Sequence, residues 1–389
     1  MFTKKTVRDV EAANKTVLVR TMLNVPIKDN QVTDKTRLAA AKETVDYLLE
    51  HQAGLVLISH HSNEEQSLAP VALVLAELLG RPVKFLNDCV GPEVVAAVKN
   101  LQPGDIIMLE NLRFHPEEKA NNPQFAKTLA GYGQLFVEDD FTTCHREHAS
   151  IVGVPQYLEA VAGLALEREV ETITRILENP KRPVAAVLGG AKISTKIPIL
   201  SFLIDRVDAA FVGGAMANTF LLAQGLSIGR SLVEPEQVDL AKQILAKAVR
   251  QGKQLLLPID VVVTDDLDNP ANVRTIMATD VADGDIIADV GPKTVAQLDD
   301  IIDPIGSVIW NGPVGIFETP AFATGTKAVA DTIIASSAYS LVGGGDTLNY
   351  IDSAQLHDKF SFVSTGGGAS MDLLSGKKLP GVEALLNKK

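Results

Sequence analysis

The stretch VAAVLGG (184–190), running on through AKISTK to residue 196, decides the fold. Five apolar residues follow one another without alternation, then come two glycines, then a segment able to begin a helix. A strand with one wet face alternates apolar and polar side chains; an unbroken run belongs to a parallel sheet covered on both faces. The pattern recurs outward from there. AAFVGG (209–214), QLLLPID (254–260), SVIWNG (307–312), YSLVGGG (339–345) and FSFVSTGGG (360–368) repeat it in the second part of the chain. VLVR (17–20), LVLIS (55–59), VKFL (83–86), IIMLE (106–110) and LFVED (135–139) repeat it in the first part, with polar ends. Helix-length amphipathic stretches separate the runs. The class is therefore α/β, with two open parallel sheets of about five or six strands in series. No Pro/Gly/Ser linker divides them. Residues 157–178 read as one connecting helix, stopped by ENPKRP (178–183), so the two parts are expected to move as rigid bodies about it.

The chain has 389 residues and a mass of 41.5 kDa, enough for two or three domains with cores of their own. Apolar residues make up 46% and charged residues 22%, which argues against disorder. A formal charge of −12 has the wrong sign for a general nucleic-acid or anionic-membrane binder. The first fifteen residues hold no apolar signal core and no run is long enough to span a membrane. Two cysteines, Cys89 and Cys144, make no disulfide framework, so a cytoplasmic location is expected.

Ligands of open parallel sheets bind beyond the carboxyl ends of the strands. In the second part those ends are glycine: Gly189-Gly190, Gly213-Gly214, Gly312, Gly343-Gly344-Gly345 and Gly366-Gly367-Gly368. Glycine lets backbone N–H groups approach phosphate oxygens, and a following helix adds its positive end. Neither a Walker A loop nor a dinucleotide fingerprint is present, so a phosphate site of another kind is expected. Lys192 and Lys196 fall on one face if their segment is helical, Asp346 and Thr347 offer oxygens to a nucleotide's Mg²⁺, and Glu318 could accept from ribose hydroxyls. In the first part the ends are polar or basic: Asn24, Ser59-His60-His61, Asn111 with Arg113, and Thr142 through Arg146 to His148. Arg37 opens the first helix. Converging arginines suit an anionic small molecule. CHREH (144–148) with His60-His61 matches no common zinc spacing, and Cys144 beside His145 is poorly placed as a nucleophile.

The ordered segments VLVRTMLNVPIKD, VTDKTRLAAAKETVDYLLE, SLAPVALVLAELLG, LENLRFHPEE, CHREHASIVGVP, LGGAKISTKI, GGAMANTFL, GRSLVE, GPKT, WNGPVGIFE, VGGGDT and STGGGAS together resemble the phosphoglycerate kinase family over nearly the whole chain. The resemblance implies two Rossmann-like three-layer α/β/α lobes joined by a helical hinge. Residues 1–165 would bind phosphoglycerate and 166–375 the nucleotide, with the tail 376–389 packing back on the first lobe. It implies reversible phosphoryl transfer between 1,3-bisphosphoglycerate and ADP, with Mg²⁺ on ATP or ADP, in a cytoplasmic monomer that needs no nucleic acid or membrane. Arg37, Lys192 and the backbone at Gly367 and Gly368 would stabilise the transferring phosphoryl. Lys196, Glu318, Gly344, Gly345, Asp346 and Thr347 would hold the nucleotide, with Asp346 nearest the metal. Asn24, His60, Arg113 and Arg146 would hold phosphoglycerate. Lobe closure would exclude water.

Three departures fall in the first lobe. Met22 stands where the family has an aspartate for the substrate hydroxyl. SHHSNEEQSLAP replaces S-H-L-G-R-P, so Asn63 or a deletion stands for a phosphate-binding arginine. Thr142 replaces a glycine. Losing two charge-assisted contacts of ~1.5–3 kcal/mol each would weaken phosphoglycerate binding roughly 10²–10⁴-fold without compensation, for which His61 is a possible donor. Retention of Arg37, Lys192, Arg113 and Arg146 favours a working kinase with a remodelled pocket. A kinase of another small carboxylic acid, or a weakly active nucleotide-binding module, are the alternatives.

Overall fold

A computed structural model describes residues 2–388. The chain forms two compact units, one ending at Thr172 and regaining the segment from Lys378 onward, the other spanning Ile173–Lys377. The first unit contains β1 (Thr16–Arg20), the two-residue hairpin strands β2 (Ile27–Lys28) and β3 (Gln31–Val32), α1 (Thr36–Glu50), β4 (Gly54–Ile58), α2 (Ala69–Leu79), β5 (Lys84–Leu86), α3 (Pro92–Lys99), β6 (Ile106–Leu109), α4 (Pro123–Ala130), β7 (Leu135–Glu138) and β8 (Ala160–Ala162). Its sheet runs β5-β6-β4-β1-β7-β8 with every pair parallel. β4 is buried at all five positions, as its unbroken apolar run requires. Local chemistry starts the helices: the Asn122 side chain accepts from Gln124 N (2.9 Å) and Phe125 N (3.1 Å), with Pro123 opening α4.

The helix α5 (Leu164–Glu178) carries the chain into the second unit. It begins seven residues later than the sequence suggests, because Ala160–Ala162 pairs with β7 as an edge strand instead. The start is fixed from outside the helix: the buried Asp139 carboxylate accepts from Ala165 N (2.9 Å) and Leu166 N (3.1 Å). The segment from Lys378 returns to the first unit. Lys5 N donates to Leu386 O (2.7 Å), Gly381 N to Cys144 O (2.9 Å) and Leu386 N to Ala160 O (3.0 Å).

The second unit contains β9 (Val184–Leu188), α6 (Ile193–Leu203), β10 (Ala209–Val212), α7 (Gly214–Ala223), α8 (Val238–Arg250), β11 (Gln254–Leu256), β12 (Asp260–Thr264), β13 (Arg274–Met277), β14 (Ile286–Val290), α9 (Pro292–Ile302), β15 (Ser307–Asn311), α10 (Thr324–Ala335), β16 (Tyr339–Gly343), α11 (Gly345–Ser353), β17 (Phe362–Ser364) and α12 (Gly368–Leu374). Its main sheet, β11-β10-β9-β15-β16-β17, is wholly parallel. In chain order that is third, second, first, fourth, fifth, sixth, the order of doubly wound dinucleotide-binding sheets, with the switch point between β9 and β15. The first unit keeps the parallel sheet but places its fourth strand, β6, between the second and third. The apolar run at 254–260 is two strands rather than one. It breaks around Pro258, and β12 joins β13 and β14 in a separate antiparallel sheet that the strand pattern did not disclose. Trp310 in β15 is fully buried against Tyr350 and Phe360 at the centre of this core.

Candidate active site

Register brings the glycines of the second unit together. Val212 pairs with Leu188, Leu188 with Asn311, Asn311 with Gly343, and Gly343 with Ser364. All five glycine clusters therefore leave the sheet from one row at its carboxyl edge. Two of them sit at the switch point and cannot carry a side chain. Gly312, at φ +102°, would place a Cβ 2.1 Å from both Gly189 O and Lys196 Nζ; Gly190, at φ +97°, would place one 2.7 Å from Lys196 Nζ. Lys196 lies in the first turn of α6, buried, and donates to Gly189 O (2.5 Å) and Asn311 O (3.4 Å). Burial pushes its ammonium down to about 8, and Asp346 opposes that shift. A lysine held by carbonyls under a glycine cradle at the end of a sheet is an arrangement able to hold an anion.

The other nucleotide candidates divide by exposure. Asp346 lies exposed in the first turn of α11, and Glu318 is exposed at the rim of a cavity of about 330 Å³. That cavity is lined by backbone at Gly190, Gly214 and Gly315 and by apolar Leu221, Val261 and Ile287, which suits a flat aromatic base beside a phosphate cradle. Gly344 and Gly345 form the turn into α11, and Gly367 and Gly368 the turn into α12. Thr347 is fully buried and its hydroxyl accepts from Gly312 N (2.7 Å), so it braces the cradle from below. Lys192 is exposed and precedes α6 rather than sharing a turn with Lys196. For Mg²⁺, the single exposed carboxylate of Asp346 facing Lys196 fits an ion that takes one or two protein oxygens and completes its shell from phosphates and water.

Two residues of this edge escaped the sequence reading. The Asn311 amide is buried with neither its oxygen nor its nitrogen bonded, beside Gly344 at the switch point. An unpaired buried amide at that place calls for a ligand. Its signal was its position, one residue before Gly312. Glu234, in GRSLVE, accepts from Ile193 N (3.1 Å) and Ser194 N (2.8 Å) and so caps α6; sequence distance hides that contact.

In the first unit, register pairs Ile58 with Arg20 and Arg20 with Glu138, so His60, Asn24 and the segment after β7 issue from one edge. Beneath them lies a buried ionic network. Arg20 bonds Asp140 Oδ2 (2.5 Å) and Ser150 Oγ (2.9 Å) and lies 3.7 Å from Glu138, while Glu118 accepts from Ser150 Oγ (2.6 Å). Burial alone would lower the Arg20 guanidinium, but Asp140, Glu138 and Glu118 outweigh it and hold it raised. His60 is buried with Nδ1 3.4 Å from Arg20, and burial and that guanidinium push it down to about 3; His148 falls to about 4 for the same reasons. Both rings are neutral near pH 7. Arg20 was not among the sequence candidates, since nothing local marks an arginine ending a strand as different from a surface one.

Arg113 is half-buried, its Nε buried without a partner, and its guanidinium is lowered chiefly by burial, with Arg20 and Arg146 adding to the shift. Arg146 is exposed. The structure thus gathers His60, Arg113 and Arg146 above Arg20. Arg37 bonds the Asn24 carbonyl (2.6 Å), and the Asn24 side chain accepts from Ser62 N (3.0 Å) and Ser62 Oγ (3.1 Å). The suggested compensation by His61 fails. Its Nε2 donates to Val25 O (3.0 Å) and its Nδ1 accepts from Asn63 N (3.1 Å), so neither nitrogen is left for a substrate. Met22 is buried, and Thr142 donates to Asp140 and joins the network. Cys144 is buried and its thiol is pushed far up by burial, which excludes a nucleophile.

Comparison with known proteins finds relatives that span nearly the whole chain. A profile described as phosphoglycerate kinase matches residues 7–377. The chain is 46% identical over 391 residues to the phosphoglycerate kinase of Moorella thermoacetica, covering 99% of this chain and 100% of that one. It is 48% identical to that of Chloroflexus aurantiacus, covering 98% of each. Among solved structures, phosphoglycerate kinase from Coxiella burnetii superposes with a TM-score of 0.90 at 41% identity, and that from Pyrococcus horikoshii with 0.83 at 29%, each over 98% of both chains.

Proposed function

The chain belongs to the phosphoglycerate kinase family, and from that membership we propose how its two units share the work of an ATP-dependent phosphotransferase with a carboxyl acceptor. The reaction is phosphoryl transfer between 1,3-bisphosphoglycerate and ADP, giving 3-phosphoglycerate and ATP. The full-length identity carries this assignment, and it disfavours both the kinase of another acid and the bare nucleotide-binding module.

The second unit (about 166–375 in the sequence reading) binds the nucleotide. Its base enters the apolar cavity, Glu318 at the rim meets the ribose, and Gly344, Gly345 and Lys196 hold the phosphates over the brace of Thr347. Asp346 holds Mg²⁺, which when bound neutralises phosphate charge. The first unit (about 1–165 with the tail) binds phosphoglycerate through Asn24, His60, Arg113 and Arg146. Neutral His60 contributes a hydrogen bond rather than a charge. Arg37, Lys192 and the backbone at Gly367 and Gly368 neutralise the oxygens in flight. Such a transfer needs in-line placement and positive charge, with no covalent relay. Among the described residues no helix is long and apolar enough to cross a membrane. We place the protein in the cytoplasm as a monomer.

The test is ADP formation from Mg-ATP with 3-phosphoglycerate, with nucleotide binding followed by calorimetry. Turnover of roughly 1–100 s⁻¹ is expected. Nucleotide binding with no turnover would overturn the reading.

A further inference from the structure

Two buried groups compete for Nδ1 of the His60 ring. Arg20 Nη2 stands 3.4 Å from it and Asp140 Oδ2 3.8 Å from it. A guanidinium can only donate and a carboxylate can only accept, so whichever bonds Nδ1 decides where the one proton of the neutral ring sits. Distance favours Arg20, whose contact is a long hydrogen bond, while the other is beyond reach. Asp140 Oδ2 is also taken, by Arg20 Nη1 (2.5 Å) and by the Thr143 hydroxyl (3.1 Å). The guanidinium itself is fixed, because Ser150 Oγ accepts from its Nε (2.9 Å) and Asp140 from its Nη1. Nδ1 is therefore the acceptor and the proton lies on Nε2. The two ring nitrogens point in divergent directions, so Nε2 faces away from Arg20. No described residue bonds it.

We propose that Arg20 is a positioning residue for phosphoglycerate: its Nη2 holds the Nδ1 lone pair of His60 and so presents Nε2–H as a fixed donor to the substrate anion. The proposal rests on the phosphoglycerate reading of the first unit. The opposite tautomer would aim a lone pair at the anion and repel it. Burial and the same guanidinium keep the ring neutral, so His60 offers a directed hydrogen bond rather than a second charge. Arg20 is fully buried and acts through His60, so its effect falls on phosphoglycerate affinity and KM rather than on kcat.

The experiment reads the tautomer by nitrogen NMR of the full-length protein labelled in histidine, with the His60 signals assigned by their loss in His60→Ala. In the wild type the proton is expected on Nε2, and the Nε2 signal should shift when 3-phosphoglycerate is added. Arg20→Met leaves Asp140 as the only partner of Nδ1 and should move the proton there. Calorimetry with 3-phosphoglycerate, without nucleotide, then separates this effect from loss of charge. Losing one directed hydrogen bond to an anion corresponds to about tenfold, so Arg20→Met should weaken binding about tenfold more in the wild type than in His60→Ala, where only the field of Arg20 is lost. A wild-type proton on Nδ1, an Nε2 signal indifferent to bound 3-phosphoglycerate, or an equal penalty in both backgrounds overturns the proposal. Should Arg20→Met fail to fold, the first two readouts decide on the wild type alone. The two readings fail separately. A proton on Nε2 with no binding of 3-phosphoglycerate would refute the phosphoglycerate reading; binding with the proton on Nδ1 would refute the role of Arg20 alone.

Discussion

Lys196 ties nucleotide affinity to pH in the alkaline range. Its ammonium is buried under Gly190 and Gly312, bonded only to carbonyls, and lowered to about 8. A bound phosphate adds the counter-charge that burial removed, so the nucleotide binds the protonated form and raises its pKa. The apparent dissociation constant then scales as 1 + 10^(pH − 8), which is about 1.1 at pH 7 and about 11 at pH 9, a loss of roughly tenfold. At pH 8 each ADP bound takes up about half a proton. Asp289 lines the same cavity and is raised to about 7 by burial, so it adds its own slope near neutrality. Lys196→Met separates the two, because it keeps Asp289 and deletes the ammonium. The assay is ADP calorimetry at pH 7, 8 and 9, at constant ionic strength, in buffers of differing ionisation enthalpy. The wild-type and Lys196→Met curves should lie far apart at pH 7, and the gap between them should shrink by about tenfold at pH 9. A wild-type affinity that is flat from pH 7 to 9, or a Lys196→Met protein with the same slope, would refute the assignment of Lys196 to the phosphate cradle.

Gly312→Ala forces a Cβ to 2.1 Å from Gly189 O and Lys196 Nζ, so ADP affinity should fall at least about tenfold while 3-phosphoglycerate binding by the first unit is retained, both read by calorimetry. Arg20→Met strips the cation from buried Asp140, Glu138 and Glu118, and urea unfolding should show a loss of about 3–5 kcal/mol. His60 and His148, at about 3 and about 4 in the fold against 6.5 unfolded, contribute stability that is complete above pH 6.5 and lost as pH falls toward those values. Asp139 and Asp289, raised to about 7, act in the opposite sense, their contribution fading as pH rises from about 4 to 7. The histidine term is isolated by His60→Gln, whose melting temperature should fall less steeply than wild type between pH 6.5 and 4.

Strands buried on both faces announce themselves, and ten of the eleven apolar runs correspond to single strands of the two main sheets. The eleventh, 254–260, failed because a run cannot show that Pro258 splits it between sheets. Ala160–Ala162 failed for a related reason. Three small residues at a sheet edge have no period of their own, and the helix that follows absorbed them into its pattern. In the second unit the gathering of the candidate residues at one sheet edge was largely legible, because a cradle made of backbone is written in glycine and glycine is visible in a sequence. What escaped there, Asn311 and Glu234, acts through side chains whose partners lie far along the chain.

The candidate site of the first unit was less legible because its charged groups stand above a buried ionic network. Arg20 is fully buried beneath the pocket, and three carboxylates surround it. Those acids keep the guanidinium in place, yet its field still reaches the groups above it and lowers both His60 and Arg113. An arginine that ends a strand reads the same in sequence whether it is buried or exposed, so retention of the motifs around it cannot reveal this layer of charge.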